Sequence, residues 1–217
     1  MPNRPNPDSI ALFPLPNVIL FPGLSLPLHI FEPRYQAMIA DVRAGNGLVG
    51  MVLLNGAAVP NAAGDPAIFP VGCAGTVDQF EMQDDGRSHL LLRGTQRFRV
   101  RAEHSERPYR IAAVEWLEDE TSSDPPAGVA PGLLTALEEL LRRDGRSFDG
   151  DLADHLPDDP AIAVNTLAFA MELNVIEKMA LLECDSAADR AERLRAFVDF
   201  RLAGPAHPSS DGERIVH

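Results

Sequence analysis

Seven arginines (Arg87, Arg93, Arg97, Arg99, Arg101, Arg107 and Arg110) fall within 24 residues that hold only two acids, Glu103 and Glu106. Side chains alternate along an extended strand, so Arg97, Arg99 and Arg101 would share one face and Phe98 and Val100 the other. Such a face could contact the phosphates of a nucleic acid or an acidic protein. The competing reading pairs the stripe with acids such as Glu81 and Glu115 on neighbouring strands, or leaves it facing water. That reading takes precedence, and no aromatic residues are interleaved on the basic face itself, which weakens single-strand binding further, since single strands are gripped by stacking as well as by charge.

Other chemistry has less support. A phosphate-binding P-loop needs a glycine-rich run ending in Gly-Lys-Ser/Thr, and Lys178, followed by Met179, is the chain's sole lysine. Metal sites need clustered ligands, whereas His29, His89, His104, His155, His207 and His217 are scattered and Cys73 and Cys184 have no near partner. There is no G-x-S-x-G elbow. The pairs Asp84-Asp85, Glu138-Glu139 and Asp158-Asp159 are chain neighbours, better suited to turns or solvated faces than to an acid/base dyad. We therefore expect no catalytic residues, no cofactor and no metal.

The elements that would position these residues begin with LFPLPNVILFPGLSLPLHIFEPRY, residues 12–35. Pro14, Pro16, Pro22, Pro27 and Pro33 break an apolar run, and proline can neither donate to a ladder nor sit inside a helix. The run therefore reads as two or three short, bent strands over 11–30, of the kind that build a barrel-like β unit. Pro33 then suits a first helical turn, with Tyr35, Met38, Ile39 and Val42 at helical spacing until Gly45. Leu48–Leu54 (LVGMVLL) predicts a buried strand, and 55–70, rich in Gly, Ala, Pro and Asn, a loop. Strands 71–82 and 88–92 flank Asp85-Gly86, a strong hairpin signal. Strands at 96–102 and 109–117 close the β part.

Past a polar and Pro/Gly-rich stretch the period becomes helical. Leu133, Leu134, Leu137, Leu140 and Leu141 mark one face, and Ile162, Leu167, Phe169, Ile176, Met179 and Leu182 anchor two more helices. Ser186 and Asp189 form a start resembling a capping box. Leu194, Phe197, Val198 and Phe200 line the last helix. The reading is α+β: a β pseudo-barrel over 1–118, a linker over 119–132, a helical bundle over 133–204 and a flexible tail over 205–217.

With 217 residues, 45% of them hydrophobic, the chain can bury one sizeable core or two modest ones. Its net charge is −13, the wrong sign for gripping nucleic acid or an anionic membrane through its overall field. Residues 1–120 carry −4 and 121–217 carry −9. Two widely spaced cysteines and the absence of a signal-like or membrane-length apolar segment predict a soluble, cytoplasmic protein.

The opening run resembles the start of the Lon protease N-terminal (substrate-binding) domain, as in Lon and in stand-alone Lon-domain proteins. Val71-Gly72-Cys73-Ala74-Gly75-Thr76-Val77, Arg93-Gly94-Thr95-Gln96-Arg97-Phe98-Arg99-Val100, Ala180-Leu181-Leu182-Glu183 and Ala191-Glu192-Arg193-Leu194 continue the match in order, over about 10–203. The resemblance implies a PUA-like pseudo-barrel and a non-catalytic module that binds apolar, partly unfolded polypeptide segments or a partner protein. A cleft between the β unit and the helical bundle would be the physical means, with Phe31, Arg34 and Tyr35 as candidate lining. Homodimerisation is compatible with it, and a membrane partner is not expected. Two alternatives accompany it: an RNA-binding module using the Arg93–Arg110 stripe, since related folds bind RNA, and a peptidase-related hydrolase by family name alone. Lon-type peptidases use a serine activated by a lysine, and the surroundings of Lys178 read as an ordinary amphipathic helix.

Overall fold

A computed structural model describes residues 6–61, 64–104, 107–119, 131–143, 145 and 151–204. The chain divides into two units: residues 1–119 with 165–184, and 120–164 with 185–217. The expected linker (119–132) and tail (205–217) lie almost wholly outside the described residues.

Unit 1 is built on six strands, β1 (Ser9–Leu15), β2 (Ser25–Ile30), β3 (Leu48–Leu54), β4 (Ile68–Met82), β5 (Ser88–His104) and β6 (Ile111–Leu117). Their order is β2-β5-β4-β3-β1-β6, and β6 also pairs with β5, so five strands close into a ring. The β1–β3 pair is parallel, Ala11 opposite Val49, and its crossover carries helix α1 (Pro33–Ala44). Pro33 occupies the first helical turn, and Tyr35, Met38, Ile39 and Val42 are the buried face, as their spacing predicts. LVGMVLL is buried along β3. Asp85-Gly86 turns the β4–β5 hairpin, with Gly86 at φ 84°, a conformation that glycine adopts without strain.

Two strands differ from the sequence expectation. β4 starts at Ile68, inside the expected loop, and β5 runs unbroken where two strands were expected. Gly94 explains the apparent gap: β5 passes so close to the 16–24 segment that a Cβ there would strike the Phe21 carbonyl oxygen. Beside the crossing the register shifts: Ala74 and Gly75 of β4 pair with Gln96 and Gly94, leaving Thr95 as an extra residue in β5.

The ring is filled by Ile10, Leu12, Val52, Ala74, Phe98 and Ala112. Phe98 is fully buried because Gly50 and Gly72 make room for it; a Cβ on either would sit 2.7–2.8 Å from its Cζ. Trp116 meets Phe98 edge-on, 6.2 Å between centroids, and donates its indole N–H to the Pro7 carbonyl at 2.9 Å.

Unit 1 also takes in residues 165–184, which hold the end of α3 (Pro160–Ala170) and all of α4 (Val175–Leu182). Two contacts inside the unit tie this segment to the strands: Asn165 donates to the Pro22 carbonyl at 2.9 Å, and Arg97 donates to the Leu182 carbonyl at 3.1 Å. Asn174 and Glu177 form a reciprocal capping box at the start of α4. Phe169 and Ile176, expected as apolar anchors, are instead exposed.

Unit 2 holds α2 (Pro131–Arg143), the start of α3 and α5 (Ala187–Ala203). Arg195 donates to the Gly132 carbonyl and Arg143 to that of Arg201, so α2 and α5 run the same way. Ser186 caps α5, accepting from the Asp189 N–H and donating to its carboxylate at 2.7 Å. Leu194 and Val198 are buried; Phe200, expected to line the helix, is 81% exposed.

Candidate functional site

Alternation along β5 puts Phe98 into the ring and Arg97 outside it. Outside is not solvent here. The Arg97 side chain is only 2% exposed, because the end of α4 lies over it. It donates to the Leu182 and Cys184 carbonyls and pairs with Asp119 at 2.5 Å. Arg97 therefore does not share an exposed face with Arg99 and Arg101, contrary to the simple period-two expectation.

The rest of the stripe is paired with acids. Arg99 and Arg101 share Glu115, Arg93 meets Asp78 at 2.5 Å and Arg87 meets Asp85 at 2.9 Å. Arg107 meets Asp41 at 2.7 Å and Arg110 meets Glu103 at 2.5 Å. A phosphate arriving at this surface would have to displace carboxylates already in place. Glu81, expected among those carboxylates, faces His89 instead.

Along β1, pairing with β6 stops at Ala11, and Pro14 beyond it supplies no N–H. A cleft of about 630 Å³ opens there, walled by Pro14, Arg34, Tyr35, Arg101, Tyr109 and Arg110 among others. The Tyr35 ring packs on Phe13 with centroids 4.4 Å apart, and the Arg34 guanidinium lies 4.5 Å over it. Arg34 also pairs with Glu32 at 2.8 Å. Burial pushes the Tyr35 hydroxyl up. The Tyr109 hydroxyl donates to Asp41 at 2.6 Å; burial first, then this bond, pushes it up to about 12. Asp41 thus ties α1 to both Arg107 and Tyr109.

The second concavity belongs to the part of the sheet that projects past the ring. There β2, β5 and β4 form a three-stranded ribbon. His29 is opposite His89, which is opposite Glu81; Pro27 is opposite Leu91, which is opposite Gln79. Directly opposed residues share a face, and these six line a groove of about 570 Å³. The two imidazoles stack at 4.6 Å and 15°, and the Phe31 ring lies 5.6 Å from His29. Phe31 is 59% exposed.

The three expected lining residues are thus split. Arg34 and Tyr35 face the cleft, whereas Phe31 stands beside the groove, and both concavities lie wholly within unit 1. Sequence reasoning missed His29, His89 and Tyr109. Asp85-Gly86 signals a turn, but a two-residue turn there would set Glu81 against Leu90; the observed loop spans 84–86 and sets Glu81 against His89, and the β2–β5 pairing that brings in His29 has no local signal.

Among the described residues, neither concavity presents an assembled nucleophile and base. The Lys178 ammonium is committed to the end of α3, donating to the Phe169 carbonyl at 2.7 Å, 5.2 Å from that ring's centroid. Burial lowers its pKa. Among the described residues no group of three or more His, Cys, Asp or Glu is placed to hold a metal ion, and no helix is long and apolar enough to cross a membrane. Cys73 and Cys184 are both buried, and their thiols donate to the Ala74 and Ala180 carbonyls at 3.4 Å.

Comparison with known proteins gives a consistent picture. The sequence family described as ATP-dependent protease La (LON) substrate-binding domain matches residues 9–199. "Lon protease 2" of Syntrophobacter fumaroxidans is 26% identical over 200 residues, covering 90% of this chain and 25% of that protein. "Lon protease" of Escherichia coli is 24% identical over 203 residues, covering 93% and 26%. A solved Lon N-terminal domain protein from Xanthomonas campestris superposes with a TM-score of 0.64 at 29% identity, over 87% of this chain and 98% of that one. The N-terminal domain of a Mycobacterium avium complex Lon protease gives 0.65 at 18% identity, over 88% and 98%, and shows the shared fold. The chain spans about a quarter of the length of the curated relatives it matches.

Proposed function

Because the chain belongs to the Lon substrate-binding domain family, we propose that it is a polypeptide-binding module without catalytic machinery, acting in the cytoplasm on apolar, partly unfolded segments of client or partner proteins. The observation that carries this reading is Phe31. A large aromatic side chain, 59% exposed, stands at the β2–α1 junction with the histidine-lined groove on one side and Arg34 and Tyr35 of the cleft on the other. Exposed aromatics at the rim of a concavity are the usual anchors of protein recognition. The Arg34–Glu32 ion pair just past it in the chain keeps this surface polar while the ring offers apolar area.

Affinity should be modest, on the order of 10 μM or poorer, because a disordered segment loses entropy when it docks. The test is binding of a permanently unfolded probe, reduced and carboxymethylated lactalbumin. Phe31→Ser should weaken it about tenfold, roughly the 1.4 kcal/mol of a modest aromatic anchor. Its thermal midpoint should be unchanged, since the ring is not packed in the core. Tyr35→Ala, by contrast, should melt the domain, because Tyr35 is 7% exposed and stacked on Phe13. Unaltered binding by Phe31→Ser would overturn the assignment.

A further inference from the structure

We infer that the groove on the outward face of β2, β5 and β4 selects extended apolar segments that carry a lysine or arginine, with Glu81 as the countercharge; this rests on the polypeptide-binding reading above and names the client class at one site. The groove's lining contains no lysine or arginine, and Glu81 is its one carboxylate. Asp41, Asp78, Asp85, Glu103, Glu115 and Asp119 in the same unit are each spent on an arginine. Glu81 makes no ion pair among the described residues; its cross-strand neighbour is His89. Around it lie the apolar surfaces a segment would cover, Pro27 and Leu91 one row away and Phe31 beyond His29.

The occupant lies across this face rather than joining the sheet at β2. The Gly94 N–H donates to the Leu24 carbonyl at 2.8 Å, which sets the phase of the β2–β5 ladder. Ser25, Pro27 and His29 then direct their backbone groups to the open side, and Pro27 has no N–H to give. A β2 edge missing its middle donor is a poor template for an added strand. Side-chain complementarity is left to set specificity, and its one fixed charge is negative.

The experiment uses three fluorescein-labelled, serine-flanked apolar peptides identical except for a central lysine, glutamate or leucine. Anisotropy titrations at low ionic strength compare the intact chain with Glu81→Gln, Glu81→Lys and Gln79→Arg, all substitutions at exposed positions. The intact chain should prefer the lysine peptide over the glutamate peptide about threefold to fivefold, the scale of an exposed ion pair. Glu81→Gln should abolish the preference, Glu81→Lys should reverse it, and Gln79→Arg should lower lysine-peptide affinity. The leucine peptide gives each variant's uncharged affinity, against which its lysine and glutamate affinities are taken. A preference arising from the overall −13 charge would survive Glu81→Lys, and that outcome would overturn the groove assignment while leaving polypeptide binding intact. Failure of all three peptides to bind the intact chain would overturn both readings.

Discussion

Arg97→Met offers the sharpest test of where the arginine stripe spends its charge. The substitution keeps most of the stem volume and removes the guanidinium. Two carbonyls, of the buried residues Leu182 and Cys184, lose a charged donor. Each such loss costs about 1–2 kcal/mol when water cannot reach the acceptor. The Asp119 side chain is 30% exposed, so it regains some hydration and adds only about 0.5–1 kcal/mol. The total, about 2.5–5 kcal/mol, overlaps the usual cost of stripping one partner from a buried pair. In a domain of this size it should lower the thermal midpoint by roughly 10 °C. Urea unfolding followed by fluorescence suits the measurement, because Trp116 is the chain's single tryptophan and packs against Phe98 in the ring. Asp119→Asn keeps an acceptor but leaves the buried guanidinium without its countercharge, and should cost about 1–3 kcal/mol; the Arg97→Met loss should be nearly independent of salt, since buried pairs are weakly screened. A loss below about 1 kcal/mol, or one that vanishes at high salt, would refute the burial argument.

Gly72→Ala should destabilise the ring by about 1–3 kcal/mol, because the new Cβ meets the Met51 carbonyl oxygen and sits 2.7 Å from the Phe98 ring; calorimetry reads the loss, and a neutral result would show that Phe98 can yield. Both tyrosines of the chain have raised pKa values, so absorbance at the phenolate band should develop only above pH 10, with Tyr109 titrating near pH 12 and moving down in Asp41→Asn. A raised pKa means the folded state holds its proton longer than the unfolded one, so the Tyr109 contribution is intact below pH 10 and is lost as pH rises towards about 12. Single-stranded RNA at about 0.15 M salt should bind more weakly than roughly 10⁻⁴ M; micromolar binding abolished by an Arg99→Glu/Arg101→Glu double variant would reinstate the nucleic-acid reading. The purified protein should neither hydrolyse ATP nor degrade casein, and an ATPase activity lost in Lys178→Ala would contradict this.

What could be read from the sequence was mostly local. Pro33 and the spacing of Tyr35, Met38, Ile39 and Val42 specify α1 without tertiary help, and Asp85-Gly86 specifies its turn by backbone conformation alone. β5 looked like two strands because Gly94 breaks the apolar pattern. That glycine is required by a chain crossing, which no local rule reports. The fate of Arg97 was illegible for a similar reason, since its acceptor at Leu182 is 85 positions away. Helical spacing marked Phe169, Ile176 and Phe200 as one-sided but cannot say whether anything covers them, and all three are exposed. The capping box at Asn174 and Glu177 was readable and overlooked. Of the candidate site, Phe31, Arg34 and Tyr35 were expected from the strand-to-helix junction, while the groove needed the β2–β5 register.

The ring is sealed by pairing Ser9–Ala11 with Ile111–Ala113, almost the first described residues of unit 1 with almost the last of its strands. During synthesis, β1 can meet β3, and β4 can meet β5, as soon as each pair has left the ribosome. The sealing pair must wait for β6. Pairings so distant along the chain are the slow steps of folding, and throughout that wait β1 presents an open edge to whatever is near. Pro14 within it and Pro16 just past it deprive that edge of donors, which makes it a poor partner for a neighbouring nascent chain. The same prolines that bend the finished strands therefore protect the unfinished polypeptide while it is still being translated.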